Sequence, residues 1–325
     1  MKKTFEIYER NLALEAVRIT EAAALSASMW IGLGDEKAAD AAAVKAMRNS
    51  LNKLDISGEV VIGEGERDEA PMLYIGEEVG SNLGGPAIDI ALDPLEGTTI
   101  CATGGQNALT VIAMAKKGCF LNAPDVYMEK IAIGGNLPTD LVSLEEKPDI
   151  NIKNLAKAKR KEINDIVVCI LNRERHAELI VKCREVGARI MLISDGDVSG
   201  VIATSEEDSG VDMYMGTGGS PEGVLAAAAL RCIGGQMQTR LKFRNDLEIN
   251  RAKKVGIKDL NKIYNLDDLA AGDVMFAATG VTDGNMLKGV KNKGGDAFTE
   301  SIVMRSSTQT IRKIKAQHKL SQEKN

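Results

Sequence analysis

The chain has 325 residues, 44% of them hydrophobic and 27% charged, with a formal net charge of −5. This length fits one large domain or two ordinary ones and can bury a sizeable core. The charge excludes a basic nucleic-acid footprint, the composition excludes a disordered chain, and no apolar run reaches membrane-spanning length. The start, MKKTFEIYERNLALEAVRITEAAAL, has two lysines, but Glu6, Glu9, Arg10 and Glu15 break any apolar stretch behind them. No signal peptide is therefore expected. The cysteines, Cys101, Cys119, Cys169, Cys183 and Cys232, form no CxxC pair and have mostly apolar neighbours. Buried, reduced thiols in a cytoplasmic protein are the expectation. With two histidines, His176 and His318, chemistry needing several imidazoles is disfavoured and acid-rich metal chemistry comes first.

In chain order, Ile7, Leu14, Val17, Ala24 and Leu25 have the spacing of a helix over 7–29. A second helix starts after Gly34, with Asp35 as its N-cap. GEVVIG (58–63) reads as a strand, and RDEAPMLYIGEEVG (67–80) as a helix closed by Gly80. AIDIALDPLEGTT (87–99) supplies the next strand, through Ile88, Ile90 and Leu92, and 107–118 another. The lysine-rich stretch 147–165 shifts the composition, and the domain boundary is placed there, at 155/156. Strand, helix and strand then alternate: 166–171, 175–187, 188–194, a helix from Val198, strand 211–216, and an alanine-rich helix from Pro221. Such units predict a parallel or mixed sheet covered by helices. DVMFAATGV, FTESIVMRS and TQTIRKIKAQ read as closing strands at a sheet edge.

Three acidic turns share one design. VVIGEGERDEA places Glu64 and Glu66 among glycines after a strand. AIDIALDPLEGTT ends an alternating strand in Asp93, Glu96, Thr98 and Thr99. GTGGSPEGV opens a helix with Glu222 among four glycines. Glycine lets backbone approach a ligand closely, and a helix N-terminus attracts phosphate. Carboxylates repel phosphate, so the combination makes sense with divalent cations between them. An isolated D-P-x-E reads as a turn with solvated acids. Gly97-Thr98-Thr99 and the apolar strand before it favour a metal site, where the Thr98 hydroxyl would hold a water. Asp89, inside that strand, has no evident role in the chemistry and is expected to be structural or to support the site residues.

VVIGEGERDEAPMLYIGEEVG, AIDIALDPLEGTT, CFLNAPDVYMEK, DGDVSG and GTGGSPEGV together resemble the class II fructose-1,6-bisphosphatases. The resemblance runs from about the first helix to the final strands. D-P-x-E-G-T is that family's form of a motif shared by lithium-sensitive, metal-dependent sugar and inositol phosphatases. The resemblance implies a mixed α/β fold, a layered α-β-α-β-α sandwich of two sub-domains, here 1–155 and 156–325, with sites at their junction. It implies hydrolysis of the 1-phosphate of fructose 1,6-bisphosphate, in gluconeogenesis, by direct in-line attack of an activated water. Mn²⁺ or Mg²⁺ would be held by Asp40, Glu64, Asp93, Glu96 and Glu222, with Glu64 and Thr98 orienting and activating the water. Glu96, Gly97 and Thr98 would contact the 1-phosphate. Tyr127, Arg173, Glu174, Arg175, Asp195, Gly196, Asp197 and Gly219 would contact the sugar bisphosphate, the two arginines gripping the 6-phosphate. A homodimer or homotetramer is implied, with no nucleic-acid or membrane partner. One departure stands out: several relatives carry a basic residue where this chain has Glu36.

Read by themselves, Arg173 and Arg175 suit either phosphate capture or a solvated helix start. Tyr127 suits either a sugar contact or half-buried packing, and His176 is expected to be structural. DGDVSGVIATSE (195–206) matches an EF-hand loop in spacing, but the strand before it argues against one. The glycines of GTGGSPEG lack the Lys-Ser/Thr of a P-loop. Alternative activities are a dual fructose/sedoheptulose bisphosphatase and an inositol or nucleotide phosphatase. A calcium- or phosphate-binding protein is the non-enzymatic alternative.

Overall fold

The structure, a computed structural model, describes residues 2–64, 72–81 and 83–319, with side chains of the first helix from Leu12 onward. α1 (Lys2–Ser28) buries Ala16, Ile19, Thr20, Ala23 and Ala27, an i, i+3, i+4 stripe. α2 (Glu36–Leu51) begins as predicted, with the Asp35 carboxylate accepting the Ala38 N–H at 2.9 Å. β1 (Ser57–Ile62), the short β2 (Glu78–Val79), β3 (Ala87–Glu96), α3 (Thr98–Thr103) and β4 (Leu109–Lys116) follow. Of the helix expected over 67–80, residues 67–71 lie outside the described residues, and the rest is turn followed by β2. Gly76, inside the expected span, holds φ of 88°, which a right-handed helix cannot contain.

The chain continues through β5 (Tyr127–Gly134), α4 (Pro148–Lys159), β6 (Val167–Leu171), α5 (Ala177–Glu185) and β7 (Arg189–Ile193). Next come α6 (Asp197–Ile202), β8 (Met213–Gly219), α7 (Ser220–Ile233), β9 (Gly235–Lys242), α8 (Asp246–Lys254), β10 (Ile263–Asn265) and α9 (Leu266–Leu269). β11 (Val274–Gly280), β12 (Lys291–Lys293), β13 (Asp296–Arg305) and β14 (Thr310–Lys319) close it.

These elements form two compact units, Met1–Gly118 with Asp273–Asn325, and Cys119–Gly272. The boundary expected at 155/156 falls inside the second unit. The lysine-rich stretch there is α4, an amphipathic helix whose buried side is Asn151, Ile152, Leu155 and Ala156. The real crossings carry no composition signal beyond a glycine each: Gly118 and Gly272 hold left-handed φ of 86° and 66°.

In the first unit the sheet order is β12-β13-β11-β4-β3-β1-β2, with β14 also on β13. β1 and β3 are parallel and the other pairs antiparallel. β11 is therefore central rather than an edge strand, and every residue in it is buried. α1 and α2 pack on one face, with Val44, Met47, Ile90, Ile112 and Val303 in the shared core. A line of buried hydroxyls ties α1 to the sheet: Thr20 bonds Thr279 at 2.7 Å, Thr279 bonds Ser301 at 2.8 Å, and Thr110 donates to the Thr20 carbonyl. Full pairing of these buried groups avoids the cost of an unsatisfied one.

The second unit has the order β10-β9-β5-β8-β6-β7. β6 runs parallel to β7 and β8, and the remaining pairs are antiparallel, so the sheet is mixed as expected. Ile131, Ile133, Met213 and Met215 pack against α4 and α5. α6 and α7 contact the strands as well, and Gly223 of α7 lies close to Met128 and Lys130 of β5. Strand alternation places these two on the face opposite Ile131 and Ile133. No helix among the described residues is long and apolar enough to cross a membrane. All five cysteines are free, four of them buried. Burial pushes the Cys101, Cys169 and Cys183 thiols up to about 11, 12 and 11, so they are unreactive at neutral pH.

Candidate active site

In the first unit, the acids of DPLEGTT sit on a break in the sheet. β3 pairs with β4 through Asp93↔Val111, then slips and resumes at Glu96↔Leu109. Pro94, which has no N–H to give the ladder, lies inside the slip, where proline is tolerated. The Asp93 carboxylate accepts the Leu95 N–H at 3.0 Å and holds the turn. Gly97 then adopts φ 86°, ψ 53° and α3 begins at Thr98. A left-handed residue there favours glycine. Glu96 is buried and Thr98 half-buried at the start of the helix, where helix geometry leaves N–H groups without intrahelical acceptors.

Glu64 follows β1. Its N–H donates to the Leu73 carbonyl at 2.9 Å. Gly63 is required beside it, because a Cβ there would lie 2.2 Å from that same carbonyl oxygen. Asp40, on α2, reads as an exposed helical acid in the sequence, but its Oδ1 is buried without a hydrogen-bond partner. Its pKa is raised because burial outweighs the opposing influence of the Glu64 side chain. Asp89 is structural. Its Oδ2 accepts the Gly118 N–H at 2.7 Å and fixes the turn at which the chain leaves this unit.

The second unit holds the other candidates. Gly196 (φ 83°, ψ 54°) precedes α6 as Gly97 precedes α3. The strand β7 before it and the helix starting at Asp197 rule out the helix–loop–helix of an EF-hand. Asp197 is buried against Lys130, whose ammonium donates to Asp197 Oδ2. Glu222 lies in the first turn of α7, with Oε2 buried and unpartnered. Burial, then the nearby Asp197 charge, pushes its carboxyl up to about 7. The glycines of GTGGSPEG make room for these acids rather than for a nucleotide. A Cβ at Gly218 would lie 2.1 Å from Asp197 Oδ2, and one at Gly219 2.0 Å from Glu222 Oε2.

Tyr127 opens β5 opposite Gly219. The Arg175 and Arg244 guanidiniums stand 4.7 and 4.8 Å from its ring centroid. Arg175 Nε and Nη2 both donate to the Thr217 carbonyl, at 2.9 and 2.8 Å. Arg173 lies 3.8 Å from Asp195, and Arg173, Glu174 and Arg175 are exposed. His176 is buried and structural. It accepts the Thr217 N–H on Nε2 at 2.8 Å, so Nδ1 carries the proton that bonds the Leu171 carbonyl at 2.8 Å. Burial lowers its pKa.

The structure thus sets Asp40 beside Glu64, places Asp93 and Glu96 on one strand end, pairs Asp197 with Lys130, and sets Glu222 against Gly219. Among the described residues, no three His, Cys, Asp or Glu side chains form a group ready to hold a metal. Asp40 Oδ1 and Glu222 Oε2 nevertheless fit a cation, being buried carboxylate oxygens without a donor. Oxygen ligands of this kind suit Mg²⁺ or Mn²⁺. Sequence reasoning missed Lys130 and Arg244. Lys130 had a signal, a lysine in phase with the buried Met128 and Ala132 of an apolar strand.

The family described as bacterial, glpX-encoded fructose-1,6-bisphosphatase matches residues 10–318. A class 2 fructose-1,6-bisphosphatase of Haemophilus influenzae is 45% identical over 325 residues, covering 96% of this chain and 97% of the relative. Fructose-1,6-bisphosphatase 1 class 2 of Escherichia coli K12 is 45% identical over 329 residues, covering 96% of each.

Proposed function

The chain belongs to the bacterial, glpX-encoded fructose-1,6-bisphosphatase family, and from that membership we infer how its residues serve the reaction. It is a phosphatase hydrolase that acts on fructose 1,6-bisphosphate. Kinship over nearly the whole length of both chains carries this conclusion.

In the reading we favour, the 1-phosphate is cleaved at the β3–α3 corner to leave fructose 6-phosphate. Glu96, Gly97 and Thr98 contact that phosphate, where the amide dipoles at the start of α3 favour negative charge. Asp40, Glu64, Asp93, Glu96 and Glu222 would hold Mn²⁺ or Mg²⁺. When bound, the cation neutralises phosphate charge and lowers the pKa of water. The Thr98 hydroxyl orients the attacking water and the Glu64 carboxylate takes its proton. The new P–O bond forms in line with the breaking bond to the sugar oxygen, which leaves protonated from solvent.

Arg173 and Arg175 grip the 6-phosphate, so that remote binding energy positions the reacting end. Tyr127, Glu174, Asp195, Gly196, Asp197 and Gly219 contact the substrate. The exposed guanidinium of Arg173 and the doubly anchored one of Arg175 support this assignment. The enzyme acts in the cytoplasm as a homodimer or homotetramer. The test is phosphate release across a panel of fructose 1,6-bisphosphate, sedoheptulose 1,7-bisphosphate and inositol phosphate, with Mg²⁺ or Mn²⁺ and a lithium challenge. Preference for fructose 1,6-bisphosphate is expected. Turnover of inositol phosphate alone would contradict the reading.

A further inference from the structure

Lys130 is a fully buried lysine whose ammonium bonds Asp197 Oδ2. The Tyr214 hydroxyl reaches the same oxygen at 3.5 Å. Two glycines shape the slot around the lysine. A Cβ at Gly218 would lie 3.2 Å from Lys130 Nζ, and one at Gly223 3.2 Å from Lys130 Cε and 2.4 Å from Met128 Sδ. The neighbouring Thr239, cross-strand from Lys130, leaves its hydroxyl unpartnered. Burying this ion pair costs desolvation on both charges, and an apolar pair of similar volume is often as stable or more so. Stability alone gives no reason for the pair, nor for clearing two Cβ atoms from around it.

We propose that Lys130 is a positioning residue for the hydrolysis: it holds Asp197 by Oδ2, so that the other carboxylate oxygen is presented to a sugar hydroxyl of the bisphosphate. The proposal rests on the reading of Asp197 as a substrate contact. Lys130 itself touches no reacting atom, so its loss acts on substrate binding more than on turnover. The pair also shapes the charge felt at Glu222, on which Lys130 and Asp197 act in opposite senses.

The test is steady-state hydrolysis of fructose 1,6-bisphosphate at saturating Mg²⁺ or Mn²⁺ by the wild type, Lys130→Met, Asp197→Asn and the double variant, with thermal unfolding of each. Lys130→Met should raise KM by about tenfold or more, the effect of losing a hydrogen bond to a charged group, while kcat changes less than about threefold. In the Asp197→Asn background, adding Lys130→Met should change KM less than about twofold, because the two residues act as one unit. A Lys130→Met enzyme with wild-type KM would overturn the proposal, as would an equal effect of Lys130→Met in both backgrounds. If Lys130→Met fails to fold, the comparison of Asp197→Asn with the double variant decides, since neither buries a lone carboxylate at 197. A wild type that releases no phosphate overturns the substrate reading and the proposal with it. An active wild type with an unmoved KM overturns the proposal alone.

Discussion

Asp40 and Glu64 lie beside each other, although one comes from α2 and the other from the loop after β1. Two carboxylates so placed disfavour each other's ionised form, which favours a proton on one of them. Burial favours that proton by raising the Asp40 pKa, and a cation would replace it. Asp40→Asn removes the buried charge and can donate a hydrogen bond toward Glu64. It should fold with unchanged or higher Tm in EDTA, yet need at least about tenfold more metal for half-maximal activity. Unfolding scans and metal titrations of activity check both halves.

Thr98 opens α3 directly after the left-handed Gly97. If its hydroxyl orients the water, Thr98→Ala should lower kcat by about 100-fold, with Tm little changed at this half-buried position. Thr98→Ser should retain most of the rate, because the methyl group has no part in the chemistry. Near-wild-type turnover by Thr98→Ala at saturating metal would remove the residue from the mechanism.

Gly219 has an ordinary φ of −69°, so alanine there meets no backbone strain. Its methyl group would meet Glu222 Oε2 at 2.0 Å and must displace that carboxylate. Gly219→Ala should therefore raise the metal requirement while leaving secondary structure, followed by circular dichroism, intact.

His176 gives a pH-dependent contribution to stability. Burial lowers its pKa below the ordinary value of 6.5, so the unfolded chain binds its proton more readily than the folded one. Its contribution is complete above about pH 6.5 and is lost as pH falls through that value to the folded pKa. His176→Ala should remove this dependence from a series of denaturant titrations between pH 5 and 8. It should also cost about 1–3 kcal/mol at pH 8, by orphaning the Thr217 N–H and the Leu171 carbonyl.

The corner bearing Asp93, Glu96 and Thr98 was legible because Ile88, Ile90 and Leu92 alternate up to a proline–glycine turn. Helix α3 after it was not, since six residues are too few to show a period. β11 was misplaced at an edge, although VMFAATG is apolar in all but Thr279, as a strand buried on both faces should be. Segment 72–79 lost its helical reading to the left-handed φ that Gly76 adopts, which the apolar spacing does not reveal. The domain boundary failed for a different reason. The chain returns to its first unit after Gly272, and contacts between β11, β13 and α1 are invisible to a linear scan. Asp40 needed the resemblance, because only its packing against Glu64 distinguishes it from a solvated acid. Asp89 needed the structure, because the amide it bonds, Gly118, lies beyond the next strand.

The most direct measurement follows phosphate release from fructose 1,6-bisphosphate by metal-stripped enzyme as Mn²⁺ or Mg²⁺ is added, for the wild type and for Glu222→Gln. The account predicts no release before addition, saturable release afterwards, and little or none from Glu222→Gln at the same metal concentration. Full activity after stripping, or equal activation of the two proteins, would contradict it.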